Sequence, residues 1–86
     1  MQVVTYGAVR DALFYSWDPI GVSHNENLHD EYDSYVPEIL RMLNSGASSE
    51  SIAERLADFE RKLFCETSQE HRRRAAAVLI GLCRGH

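Results

Sequence analysis

Nowhere in its 86 residues does the chain run to the roughly 20 consecutive apolar residues that a membrane-spanning helix needs. Met1 to Arg10 has no basic flank followed by an apolar run, so no secretory leader is expected. Prolines number two and glycines five, too few for a disordered segment or a turn-rich β fold. Cysteines are also scarce. Cys65 and Cys83 are read as lying at opposite ends of one helix, about 27 Å apart at ~1.5 Å per residue. A disulfide requires Cα atoms within ~7 Å. Free thiols, and with them a reducing cytoplasmic location, are the expectation. Internal repeats and low-complexity stretches are missing too.

Chemistry-bearing patterns are as scarce as cysteine. No nucleophile stands beside a base: Cys65 has His71 six residues on, and nothing in the pattern brings them together. Carboxylate pairs such as Asp30 and Asp33 are common outside catalytic sites. His24 and His29 match no zinc or calcium spacing, and His86 is a chain end. The expectation is therefore a protein that is not an enzyme, with no cofactor and no metal.

What is present is helical periodicity. Apolar residues make up 44% of the chain and charged residues 26%, the proportions of an ordinary globular domain. A chain this short buries roughly 60–65% of its unfolded surface, enough for one core. Val3 to Tyr15 reads as a first helix, with Tyr6, Val9, Leu13 and Trp17 on one face and Val3, Val4 and Phe14 widening it. Asp18-Pro19 stops it. Pro19 to His29 is a long irregular loop with Ile20, Val22 and Leu28 as apolar anchors.

Tyr32, Tyr35, Val36, Ile39, Leu40 and Leu43 form the stripe of a second helix. If Ser34 caps it, Pro37 falls harmlessly in its first turn; if it starts near Asp30, Pro37 kinks it. A third helix starts at Ser48 or Ser49, with Ile52, Leu56, Phe59 and Leu63 as its seam. Its solvent face carries Glu50, Glu54, Arg55, Asp58, Arg61 and Lys62. Thr67 with Glu70 makes a capping box for a fourth helix, which buries Ala75, Ala76, Val78, Leu79, Leu82 and Cys83 and stops at Gly85. The fold class expected is all-α: a single helical domain over residues 1–86, a compact bundle of about four helices with a long irregular loop after the first.

Two charge features stand out against a net charge of −4. Between Asp18 and Glu38 lie six carboxylates and no Lys or Arg. Acids at a helix start complement its dipole, which accounts for two or three of them. The remainder, with interleaved aromatics, makes a candidate surface for a basic protein: Asp18, Asp30, Glu31, Tyr32, Asp33 and Tyr35. The second feature is His71-Arg72-Arg73-Arg74, cations where the dipole disfavours them. Arg72, Arg73 and Arg74 are the candidate nucleic-acid contacts of an alternative reading. Overall acidity makes nucleic acid the less favoured partner, since affinity for it comes mostly from neutralising phosphates.

Trp17-Asp18-Pro19-Ile20-Gly21, then Asp30-Glu31-Tyr32-Asp33-Ser34-Tyr35, then Ile52-Ala53-Glu54-Arg55-Leu56, resemble a group of short uncharacterised bacterial proteins. In layout the chain is similar to the Bacillus YugE-like family of unknown function, with its Trp-Asp-Pro turn and Tyr-Asp helix start. The likeness runs roughly from Ala8 to Cys83. It departs at Ile20, where the YugE-like turn has an aromatic, and at the arginine cluster, which has no counterpart there. The resemblance implies an all-α cytosolic fold and no catalytic residues. By analogy with small proteins found beside bacterial toxins, it implies an immunity or antitoxin-like role. The sequence reading is thus a small cytosolic protein-binding module, an inhibitor of a basic partner such as a toxin. The rival readings are a nucleic-acid-binding regulator and a structural homo-oligomer.

Overall fold

The computed structural model describes residues 4–84. Val3, Gly85 and His86, to which the periodicity assigned roles, lie outside them. Among the described residues there are four α-helices, joined by turns and short 3-10 segments, and no strand. The radius of gyration is 11.9 Å, against ~12 Å expected for a folded chain of this length. The all-α bundle read from the sequence is the fold. No helix among the described residues is long and apolar enough to cross a membrane.

Helix α1 spans Tyr6–Ala12, capped by Thr5, whose hydroxyl accepts from Ala8 N–H. It continues as a π-helical turn over Leu13–Trp17, closed by Asp18 N–H donating to Leu13 C=O. The wider turn accommodates three bulky side chains in five residues, and Leu13, Phe14 and Trp17 are all fully buried. Val4, Val9 and Ala12 join them in the core. Tyr6, expected on the buried face, is 40% exposed, because it sits on the first turn beside Arg10. The helix also runs two residues beyond the expected Tyr15. It ends at Asp18, which takes the left-handed conformation (φ 34°). Aspartate tolerates that region because its short side chain bonds nearby backbone.

The connection that follows contains a 3-10 turn at Glu26–Leu28. Val22 and Leu28 pack against the core as expected, whereas Ile20 is 40% exposed. A second 3-10 turn, Asp33–Tyr35, leads into α2 over Val36–Asn44. Pro37 falls in the first turn of α2, as one of the two expected starts requires, but Ser34 makes no cap. Tyr32 belongs to the turn before the helix.

Helix α3 covers Ser49–Lys62, with Ser48 Oγ accepting from Ser51 N–H. Helix α4 covers Gln69–Arg84. Its cap is Ser68, which accepts from His71 N–H, and not the expected Thr67. The Thr67 hydroxyl is drawn instead onto Glu60 of α3. Cys65 lies in the α3–α4 connection rather than on α4, and both cysteines are free thiols. Ala75, Ala76 and Leu79 are buried; Val78, expected with them, is 43% exposed. Ala75 and Ala76 are small residues on the buried side of α4, which packs on α3 and the π turn, and Trp17 and Phe59 are buried with their ring centroids 6.1 Å apart. Each such large side chain contributes about 1.5–3 kcal/mol through burial.

Helices α2 and α3 end in the same hydrogen-bonded turn. In α2, Ala47 N–H donates to Met42 C=O at 3.0 Å and Gly46 N–H to Leu43 C=O at 3.2 Å. In α3, Cys65 N–H donates to Glu60 C=O at 3.0 Å and Phe64 N–H to Arg61 C=O at 3.3 Å. Both are Schellman closures, whose pivotal residue sits at positive φ. In α2 that residue is Gly46 (φ 81°); in α3 it is Phe64 (φ 56°). A side chain there costs roughly 1–2 kcal/mol that glycine avoids.

Candidate functional site

The most heavily bonded group in the protein is Glu60. Leu56 precedes it by one helical turn, so α3 turns it towards the core, and only 1% of the residue is exposed. Its Oε2 accepts from the Trp17 indole N–H at 2.9 Å and from the Thr67 hydroxyl at 2.7 Å. Its Oε1 accepts from Thr67 N–H at 2.8 Å and from Arg72 Nη1 at 2.9 Å. Arg72 also donates to Thr67 C=O at 2.8 Å. Beside them, His71 Nε2 donates to the Trp17 carbonyl. Burial pushes the Glu60 carboxyl up, but the bonds from Thr67, Trp17 and Arg72 outweigh it and hold it below the ordinary range. One ion pair thereby ties α1, α3 and α4 together. No described buried side-chain polar atom lacks a partner.

A second node closes the 18–35 segment. Asp18 accepts from Val22 N–H at 2.8 Å, Ser23 N–H at 2.9 Å and the Tyr32 hydroxyl at 2.8 Å. The same hydroxyl accepts from Ile20 N–H. Partial burial raises the Asp18 carboxyl, and the bonds from Ser23, Val22 and Tyr32 bring it below its ordinary value. Burial, then the bond to Asp18, pushes the Tyr32 phenol far up. Tyr32 is 2% exposed, with its ring 5.2 Å from that of Trp17. Tyr35 is half-buried and stacks on Phe59 at 4.2 Å. Asp33 takes a two-pronged bond from Arg10, Nε to Oδ1 at 2.9 Å and Nη2 to Oδ2 at 2.7 Å.

The structure thus divides the six candidate contact residues. Asp18, Tyr32, Asp33 and Tyr35 are engaged with the chain's own backbone, rings or cations. Asp30 and Glu31 stand exposed, and neither carboxylate has a side-chain partner. Nearby in sequence, His29 Nε2 donates to Asp11 Oδ1 at 2.7 Å, and the His29 and Tyr15 rings both pack edge-on against buried Phe14. Tyr15 is 51% exposed. From Asp11 to Leu40 the sequence contains no Lys or Arg, and the cations that reach this stretch come from outside it, Arg10 onto Asp33 and Arg55 onto Glu38.

The arginine cluster divides in the same way. Arg72 is fixed on Glu60 and Thr67, Arg74 pairs with Glu70 one turn back at 2.7 Å, and Arg73 is exposed without an ion pair. The apparent anomaly of cations at a helix start is resolved for Arg72 and Arg74 by carboxylates within reach. His24 is exposed and His29 binds Asp11; no three His, Cys, Asp or Glu side chains among the described residues converge as metal ligands. Cys65 is partly buried, and burial together with the neighbouring Glu60 charge pushes its thiol up, away from the reactive thiolate.

Residue-type reasoning passed over Glu60 and Phe64. Glu60 had a detectable signal: it stands four residues after Leu56 and eight after Ile52, on the buried stripe of an otherwise solvated helix. Phe64 had none, because nothing local marks a phenylalanine as left-handed.

Set against protein families, curated proteins and solved structures, the chain matches none of them.

Proposed function

We propose that the protein is a binding module for another protein, acting as an immunity-type inhibitor that covers a basic surface such as the substrate cleft of a nuclease toxin. The observation that carries this reading is the exposed pair Asp30 and Glu31, unneutralised within a stretch from Asp11 to Leu40 that contains no Lys or Arg. The exposed Asp11, which His29 bonds, and Tyr15 extend the same surface with a third carboxylate and an aromatic ring. The Asp18–Tyr32 and Arg10–Asp33 bonds hold the segment in one shape, so little ordering entropy is lost on association. A rigid, like-charged surface raises association rates with a cationic partner and rejects anionic ones.

A nucleic-acid reading would have to rest on Arg73, since Arg72 and Arg74 are engaged internally.

The test is association with a panel of purified basic nucleases at low and high salt, for the wild-type chain and for Asp30→Asn/Glu31→Gln. The wild-type rate should fall steeply as salt rises, and the double variant should start lower and respond less. A panel that does not bind, or binding indifferent to the double variant, removes the proposal.

A further inference from the structure

The two Schellman turns are an internal control on Phe64. At the same position, with the same pair of hydrogen bonds, α2 uses Gly46 and α3 uses Phe64. A large side chain at positive φ is ordinarily compensated by packing of its ring. Phe64 has no such compensation: it is 97% exposed, more than any other large hydrophobic side chain described. The turn itself closes through backbone groups that glycine would supply equally well. Folding therefore gives no reason for an aromatic here. A strained residue that presents a bare ring is the pattern of a contact residue.

We infer that Phe64 is an anchor side chain for a partner protein, entering an apolar pocket whose lip is acidic on the side facing the last turn of α3. Lys62, two residues before the ring, is exposed and without an ion pair, and Arg61 before it, paired with Asp58, still has 72% of its side chain exposed. They meet that lip. Glu66, two residues beyond, is the one acid following the ring within the connection and keeps the opposite edge of the pocket from being acidic too.

The charges also argue against a second copy as the occupant. The chain has an apolar groove of its own, between Tyr6, Pro37 and Leu40, but its one lining charge is Arg41. Seating Phe64 there would bring Arg61 and Lys62 against another cation. This contact is independent of the acidic side proposed above, and variants at 30 and 31 leave it intact.

The experiment is site-specific photocrosslinking in the native host, with benzoylphenylalanine at position 64 of the full chain and, as a control, at exposed Val78. The adducted protein is identified, purified and titrated against wild type, Phe64→Gly and Phe64→Leu. An adduct formed at 64 and not at 78 is expected. Phe64→Gly should bind it about tenfold or more weakly while melting at a higher temperature than wild type. Phe64→Leu should keep most of the affinity. A partner that binds Phe64→Gly as tightly as wild type overturns the inference, as does a site-64 probe that yields no more adduct than site 78. So does an adduct that is a second copy of this chain, accompanied by wild-type self-association in sedimentation that Phe64→Gly abolishes. A lower melting temperature for Phe64→Gly would show that the ring serves the fold, and would also overturn it.

Discussion

The indole N–H of Trp17 donates to Glu60 Oε2 across 2.9 Å inside the core, joining residues 43 apart in the chain. The same carboxylate holds Thr67, through its N–H and its hydroxyl, and Arg72, so four donors from three residues depend on one carboxylate. Replacing Glu60 by Ala leaves a nearly buried guanidinium without its counter-charge and an indole N–H without an acceptor. The expected loss is about 3–5 kcal/mol, a large share of the stability of any small domain. Glu60→Gln keeps the shape and one acceptor oxygen and should cost less, on the order of 1–3 kcal/mol. Urea unfolding followed by the fluorescence of Trp17 measures both. A change under about 1 kcal/mol for Glu60→Ala would contradict the role assigned to this pair.

Acid should act on the same bonds. Glu60 and Asp18 are both held below their ordinary values of 4.5 and 3.8. A carboxyl depressed in the folded state stabilises fully above its unfolded value, and that contribution disappears as pH falls through the folded one. Stability should thus be level down to about pH 5 and decline below it. Urea midpoints collected against pH report the decline. In Glu60→Gln it should be shallower, from a lower starting point. An equal slope in the two proteins would show that Glu60 is not the titrating group.

Asp18 and Tyr32 should prove energetically coupled. Asp18→Ala removes the acceptor for Val22 N–H, Ser23 N–H and the Tyr32 hydroxyl, for an expected loss of about 1–3 kcal/mol. Tyr32→Phe removes one donor and should cost about 1 kcal/mol. Because the two share a bond, the double variant should depart from additivity by about 0.5 kcal/mol or more. Strict additivity in a double-mutant cycle would mean that the bond contributes nothing to the folded state.

The paired helix ends make opposite predictions. Gly46→Ala puts a Cβ at φ 81° in open space, so backbone strain alone is tested, and stability should fall by about 1 kcal/mol. Phe64→Gly relieves the same strain and should gain about 0.5–1 kcal/mol after the entropy of glycine is subtracted. Thermal or urea unfolding of both variants checks the signs. Equal signs would contradict the equivalence of the two turns.

The amphipathic stripes were legible because helical periodicity is local. Ile39, Leu43, Ile52, Leu56 and Phe59 are spaced to face one way whatever they pack against, and all are buried. The Trp17-Asp18-Pro19 stop could also be read, since pre-proline sterics and the tolerance of aspartate for left-handed backbone act within a few residues. The candidate surface was legible only as composition. Six carboxylates without a cation between Asp18 and Glu38 look alike in one dimension. Which of them meets Arg10 or the backbone of Val22 depends on segments brought in from elsewhere.

By itself, then, the order of residues determined four helices, their apolar faces and an acidic stretch, because those follow from spacing and charge along the chain. Only the folded structure decided that Glu60 turns inward to meet Trp17 and Arg72, that Thr67 gives up the helix cap to Ser68, and that Phe64 stands bare at positive φ. The physical reason is the same in each case. A buried charge, a diverted hydroxyl or an uncovered ring is defined by neighbours from distant segments, and those neighbours exist only once the helices have packed.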